Sequence, residues 1–393
     1  MSKIRRIELH NFGFDVHNRS LGPTKTAGVG NGVYEKGARL RMNRYAVVIE
    51  ADDGVRGEYV THWVGTRAAF AETAMLAPRL IGCDSEAREE IFADCKRELR
   101  AYSRMGQGPL DIALWDLAGK RHGLSVKRML GGFRDRLPSY ASTWAGQDAP
   151  GGLCTPEAFA DYAQHCKEHG FAGFKIHPWT SGDVAREVRN LLGVRRRVGD
   201  DMRLMIDTSS QLRTWADALT VGRACDEANY FWFEDPYRDT SASSFSHRKL
   251  REFIKTPIML GELVRGLETK GELVLSDATD MLHIDPEYDM GITGAMKLAH
   301  FCEVLGLDVQ YHACGPAHRA CVSATRNTHM YEVALIGPDM PNAIPPVYTC
   351  GYGDQEADVG ADGCVPVPDG PGLGVSYDWD FIAANRVDRL VFE

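Results

Sequence analysis

Short apolar runs recur along the second half of the chain, and each leads into a charged or ionisable residue. Leu204-Met205-Ile206 precedes Asp207, Phe231-Trp232-Phe233 precedes Glu234, and Ile258-Met259-Leu260-Gly261 precedes Glu262. Leu282-His283-Ile284 precedes Asp285, and Val309-Gln310-Tyr311 precedes His312. Runs of this size, separated by helical patterns, read as buried parallel strands. The five residues recur at intervals of 27, 28, 23 and 27, the length of one βα unit. Ionisable residues at the carboxyl ends of successive strands are what an active site on a (β/α)8 barrel requires.

The same alternation extends to both sides of these five strands. Leu137 to Trp144 predicts a first strand, followed by a helix with Thr155 as N-cap, Pro156 at its first position and Gly170 past its end. Phe171 to Ile176 predicts the second strand, His329 to Leu335 the eighth, and Thr293 to Leu305 one of the intervening helices. The fold class is therefore α/β, a modified TIM (β/α)8 barrel over residues 133–340. Residues 1–132 have another texture and predict an α+β capping domain. Its strands are Ile4 to Phe12, Tyr45 to Glu50 and Val55 to Val60, with a hairpin turn at Asp52-Asp53-Gly54. Two helices are expected to follow. The second carries Leu110, Ala113, Leu114, Leu117 and Ala118, a stripe that buries one face. Between the first two strands, His17 to Arg41 reads as a long polar loop, expected to close over the barrel mouth. Residues 341–393 form a Pro- and Gly-rich tail, with Tyr377 to Phe392 expected to pack back on the cap.

Composition narrows the class. The chain has 393 residues, 44% hydrophobic and 25% charged, as in soluble globular proteins. A net charge of −9, with no basic patch to offset it, excludes a nucleic-acid partner. No apolar run reaches the length of a membrane span, and the start lacks the apolar stretch of a signal peptide. The ten cysteines include no Cys-x-x-Cys pair, so they read as small buried hydrophobes in a reducing cytoplasm.

The candidate chemistry follows from the strand ends. Asp207, Glu234 and Glu262 end three adjacent strands and should converge over the barrel mouth, a set of hard oxygen ligands that suits Mg²⁺. Lys175 and His177 lie two apart at the end of the second strand, so both point to the same side. Lys175 is expected to keep His177 largely neutral and competent as a general base. Asp285 and His312 end neighbouring strands; a carboxylate on one ring nitrogen orients the other and makes a proton donor. Gly28-Val29-Gly30-Asn31-Gly32 resembles a nucleotide-binding loop but opens no helix after a strand. A zinc site from His312, Cys314 and His318 would leave Asp285 without its partner.

Taken in order, these residues carry a resemblance to the enolase superfamily, and within it to the mandelate racemase-like group, over essentially the whole length. The matching features are Lys175-x-His177, Asp207, Glu234-Asp235-Pro236, Gly261-Glu262, Asp285, His312 and Glu332, with the helix from Gly108 to Asp116 resembling the N-terminal signature. The resemblance implies that Mg²⁺ holds a substrate carboxylate and that the α-proton is abstracted to give an enediolate. Glu332, if protonated, would help stabilise that enediolate, and Lys175 would contribute a fixed positive charge. Three departures stand out: His177 where the family usually has lysine, Ser209 where it often has asparagine, and Met290-Gly291 where it usually has two glycines.

The same scaffold hosts racemases, cycloisomerases and dehydratases. The unequal histidine pair and a cap stretch with His17, Asn18, Arg19, Lys25, Arg39 and Arg41 favour a sugar-acid dehydratase producing a 2-keto-3-deoxy acid. His17, Arg19, Trp144 and Ser209 are the expected substrate contacts. The expected partner is a small sugar acid, on a homo-oligomeric cytoplasmic enzyme. A racemase, epimerase or cycloisomerase is the alternative, a barrel that has lost catalysis and only binds is a third reading, and either histidine could be the base.

Overall fold

The computed structural model describes residues 2–20, 33–179, 181–237, 243–340 and 342–393. Lys25 and the glycine-rich stretch from Gly28 to Gly32 lie outside them, as does the centre of the segment expected to close over the mouth. Three antiparallel strands open the chain, β1 (Ile4–Ser20), β2 (Val33–Ala51) and β3 (Arg56–Val60). Much of the expected loop from His17 to Arg41 is instead ribbon, with His17 paired to Arg39 and Arg19 to Tyr34. The physical reason is strand periodicity: Phe12, Phe14 and Val16 are buried while Asp15 and His17 face out, so the charges decorate one face of a strand pair.

Three helices follow rather than two: α1 (Arg67–Leu80), α2 (Arg88–Glu98) and α3 (Gln107–His122), with a single turn α4 (Val126–Met129). α2 has the weak apolar stripe of a half-exposed helix, burying only Ile91, Phe92 and Cys95, which hides it from a periodicity reading. The acids of the signature helix α3 are structural joints. Asp111 accepts from the backbone N–H of Thr293 at 3.0 Å, and Asp116 accepts from Glu58 N–H and Leu373 N–H, each at 2.8 Å. One helix is thereby fastened to the barrel, to β3 and to the C-terminal segment. Gly108 lies so close to the barrel that a Cβ there would stand 2.3 Å from the carbonyl oxygen of Glu287.

The barrel strands are β4 (Arg136–Ala145), β5 (Gly173–His177), β6 (Arg203–Asp207), β7 (Trp232–Glu234), β8 (Ile258–Leu260), β9 (Met281–Ile284), β10 (Asp308–Tyr311) and β11 (Tyr331–Ile336). Between them run α5 (Pro156–His169), α6 (Val184–Val198), α7 (Trp215–Glu227), α8 (Ser244–Arg251), α9 (Leu267–Leu275), α10 (Ile292–Val304) and α11 (Pro316–Ala324). The strands pair in parallel in the order β10-β9-β8-β7-β6-β5-β4-β11, so the eighth strand closes onto the first. Tyr140, Met205, Trp232, Met259, Met281 and Met330 pack as a buried floor inside the sheet. Two residues further along the same strands stand Ser142, Asp207, Glu234, Gly261, His283 and Glu332. Period two therefore sets a polar layer directly above an apolar one.

The tail adds β12 (Cys364–Pro366), antiparallel to β4, then α12 (Trp379–Ala384) and β13 (Arg386–Phe392). β13 pairs with β1, giving a cap sheet of order β13-β1-β2-β3. All ten cysteines are free. Among the described residues, no helix is long and apolar enough to cross a membrane.

Candidate active site

Non-glycine residues with positive φ gather just beyond the carboxyl ends of the barrel strands: Ser209 (46°), Ser210 (58°), Asp235 (37°), Met290 (63°) and Ala313 (64°). Such strain persists only where surrounding structure enforces it, and it concentrates at functional sites. Gly261 has φ +136°, and a Cβ there would lie 2.4 Å from the carbonyl oxygen of His283. Only glycine fits, and its conformation turns Glu262, two residues past β8, towards the mouth.

Two imidazoles stand at the ends of strands β5 and β10, each against a carboxylate. His177 Nε2 lies 2.8 Å from Asp207 Oδ2, and His312 Nδ1 lies 2.6 Å from Asp285 Oδ2. Burial works against the His177 imidazolium, but the charge and hydrogen bond of Asp207 outweigh it and raise the pKa. The expectation of a His177 kept neutral by Lys175 is thus corrected: Lys175 lowers the pKa of His177, in the direction expected, but Asp207, in direct contact, outweighs it. A raised pKa makes the neutral ring a stronger proton acceptor. His312 is pushed up to about 10: burial opposes its charge, but Glu262, whose Oε1 is 3.4 Å from Nε2, and Asp285 outweigh it. Asp285 is held well below the ordinary carboxylate range despite burial, because His318 and His312 both bond it. With His312 and His318 meeting on Asp285 and the Cys314 thiol bonded to Ala334 O, no zinc arrangement forms there.

Lys175 is fully enclosed, with Nζ 3.2 Å from Glu234 Oε2 and 3.0 Å from Glu332 Oε1. Those two carboxylates overcome burial and hold its pKa well above the usual value. Glu332 in turn is lowered to about 2, with Lys175 and His312 outweighing burial. It is an ionised carboxylate in this arrangement, not the protonated acid considered above; its Oε2 accepts from Ala313 N–H at 2.5 Å.

The carboxylates at the strand ends form a donor set. Asp207 and Glu234 are register partners across β6 and β7. Asp207 Oδ1 accepts from Ser209 N–H at 2.6 Å, so Ser209 positions the carboxylate through its backbone. Glu234 Oε2 accepts from Trp232 Nε1 as well as Lys175, leaving Oε1 without a hydrogen-bond partner. Glu234, Glu262 and His283 each bring one possible ligand atom within 4.8 Å of the others. An orphaned, buried carboxylate oxygen beside further hard donors fits a divalent cation.

The cap reaches the site at two places. Arg19, fully buried on β1, stacks its guanidinium 3.3 Å from the ring centre of Trp144, at the end of β4. Burial lowers its pKa to about 9. Sequence reasoning named both residues but could not place them together. His17 is exposed on the ribbon, opposite Arg39.

The second place was missed. Glu287 accepts from Tyr59 OH (2.5 Å) and from the N–H groups of His62 (2.6 Å), Trp63 (2.7 Å) and Val64 (2.6 Å). The docked segment sets Trp63 edge-on to His312, while Tyr288 stacks on the same imidazole at 5.3 Å and 19°. Only the adjacency of residues 287 and 288 to Asp285 could have pointed to them.

Residues 158–381 match the family described as enolase C-terminal domain-like, and residues 38–131 match the mandelate racemase / muconate lactonizing enzyme N-terminal domain. The chain is 26% identical to L-talarate/galactarate dehydratase of Salmonella typhimurium over 295 residues, covering 72% of this chain and 71% of that protein. It is 27% identical to D-galactarolactone cycloisomerase of Agrobacterium fabrum over 375 residues, covering 89% and 94%. The crystal structure of D-glucarate dehydratase from Agrobacterium tumefaciens complexed with magnesium superposes with a TM-score of 0.85 at 27% identity, over 98% of this chain and 99% of that one.

Proposed function

We propose that this chain, which belongs to the enolase superfamily with mandelate racemase / muconate lactonizing enzyme-type domains, is a sugar-acid dehydratase. In this reading it removes the proton α to the carboxylate of an aldonate or aldarate, expels the β-hydroxyl as water and yields a 2-keto-3-deoxy acid. The observation that carries it is the pair of carboxylate-anchored imidazoles, on strands well separated around the barrel, with the carboxylates of β6 to β8 between them. Elimination needs one group to take a proton and another to give one.

His177, donating Nε2–H to Asp207, presents Nδ1, which has no hydrogen-bond partner, as the acceptor of the α-proton. His312, held by Asp285 and by the second carboxylate at Glu262, keeps a proton for the departing hydroxyl. Lys175 and the two carboxylates it contacts, Glu234 and Glu332, fix charge in the polar layer above the apolar floor. Arg19, stacked on Trp144, supplies a substrate contact from the cap side, and Ser209 one from the end of β6. Asp207, Glu234 and Glu262 would hold Mg²⁺, which when bound supplies positive charge against the developing negative charge of the substrate carboxylate. The magnesium in the D-glucarate dehydratase structure supports this assignment.

A panel of aldonates and aldarates incubated with Mg²⁺ and read for 2-keto acid tests the reading. His312→Asn should stop elimination while exchange of the α-proton with solvent deuterium persists, and His177→Asn should stop both. Exchange surviving only in His177→Asn would reverse the two roles. The similarity to D-galactarolactone cycloisomerase favours a second reading, isomerisation on the same two faces. That activity would give α-exchange and an isomeric product with no keto acid.

A further inference from the structure

His283 lies on β9, two positions before Asp285, so strand alternation points it into the polar layer of the barrel. It is fully buried. Neither of its ring nitrogens has a hydrogen-bond partner, and the same is true of Glu234 Oε1. Yet His283 Nδ1 and Glu234 Oε1 are only 3.0 Å apart. Two complementary polar atoms at hydrogen-bonding distance, buried and misaligned for a bond to each other, are costly unless a third group satisfies both.

The spacing identifies that group. Two cis ligands of an octahedral ion, each about 2.1 Å from the metal, stand roughly 3 Å apart. Their lone pairs converge on the ion rather than on one another, which is why the atoms approach without hydrogen-bond geometry. Glu262 completes the set, with one ligand atom from each of the three residues within 4.8 Å of the others. Asp207 accepts from His177 Nε2 and Ser209 N–H, and its oxygens keep further lone pairs for the same ion.

A second buried group of this kind among the described residues differs. His62 has its ring nitrogens on Cys314 O and Tyr348 OH, and Asp354 accepts from Arg319, Tyr331 and Tyr352. Those residues are already satisfied by protein. His283 is not.

We propose that His283 is a ligand of the divalent cation, so that the site is a mixed nitrogen–oxygen centre favouring Mn²⁺ over Mg²⁺ more strongly than carboxylates alone would. This rests on the reading of a cation site at Glu234 and Glu262 and specifies which ion it prefers. Imidazole is a softer donor than carboxylate and adds little for Mg²⁺ but much for first-row transition ions.

Mn²⁺ and Mg²⁺ titrated separately into the full-length protein, with pulsed EPR of the Mn²⁺ complex, test it. The wild type should show ¹⁴N coupling to Mn²⁺. In His283→Gln that coupling should vanish, and Mn²⁺ affinity should fall about 10- to 100-fold while Mg²⁺ affinity changes much less. Equal losses for both ions, or no ¹⁴N coupling in the wild type, would overturn direct ligation and leave the cation site standing. Failure of the wild type to bind either ion would overturn the cation reading together with this proposal. Should His283→Gln not fold, the wild-type coupling is assigned with His177→Asn and His312→Asn. Persistence in both supports His283, and loss in either overturns it.

Discussion

Replacing Glu287 by glutamine keeps the side chain's shape and removes one of two oxygens that each serve two donors. Oε1 accepts from Tyr59 OH and His62 N–H, and Oε2 from Trp63 N–H and Val64 N–H. An amide nitrogen in place of Oε2 would orphan two backbone N–H groups. In place of Oε1 it would orphan only His62 N–H, since the Tyr59 hydroxyl can rotate to accept. The second orientation is cheaper. It still leaves one buried donor unpaired, at about 1–3 kcal/mol, and turns the remaining charge-assisted bonds into neutral ones at about 1 kcal/mol each. Buried Arg44, whose charge Glu287 supports, loses a counter-charge as well. The expected destabilisation is about 3–5 kcal/mol, a drop in the melting midpoint on the order of 5–10 °C.

Because the docked segment carries Trp63 onto His312, turnover should fall along with stability. Tyr59→Phe removes one bond and should cost about 1.5 kcal/mol. Thermal unfolding followed by circular dichroism, with kcat measured well below the midpoint, is the assay. A Glu287→Gln protein melting with or above Tyr59→Phe would refute the reasoning, and unchanged kcat would show that Trp63 does not support His312.

Glu187 is buried on α6, accepts from Asn190 at 3.2 Å, and is raised to about 8 chiefly by burial. A raised folded pKa gives stability that is complete below the unfolded value near 4.5 and is lost as pH rises towards 8. Glu187→Gln should therefore match wild type at pH 4 and exceed it at pH 7 by about 3 kcal/mol; parallel unfolding profiles across that range would refute the assignment. Gly261→Ala, which drives a Cβ into His283 O in a left-handed conformation, should weaken Mg²⁺ binding in calorimetry by misplacing Glu262, and unaltered affinity would show that the strand end can relax. Arg19→Ala should raise KM for the true substrate by about 10- to 100-fold, the value of a charge-assisted bond. Arg19→Lys should not restore it, because lysine lacks the plane that stacks on Trp144; unchanged kinetics would remove Arg19 as a substrate anchor. Chelation should abolish turnover while far-UV circular dichroism shows the fold retained.

The alternation of apolar and polar positions was enough to locate the barrel strands and the residues at their ends, because a parallel strand buried on both faces leaves a compact apolar run that local sequence cannot disguise. Asp207, Glu234, Glu262, Asp285 and His312 could be read this way since each follows such a run directly. The pairing of His17 to Ser20 with Val33 to Arg39 was hidden because outward charges such as His17 and Arg39 mask the alternation of a strand. α2 was hidden because its apolar face is short.

Local pattern determines which residues can face the mouth; it cannot say which carboxylate each histidine meets. That choice came from the curled sheet, which sets Asp207 rather than Lys175 against His177 and brings His283 to Glu234 from two strands away. Likewise the meeting of Arg19 with Trp144, and of Glu287 with residues 59–64, joins segments separated by 125 and more than 220 positions. Side-chain electrostatics act over a few ångströms of space whatever the distance along the chain. The strand ends are therefore written in the sequence, whereas the protonation states and partners of the groups they carry are decided only when the cap docks and the sheet curls.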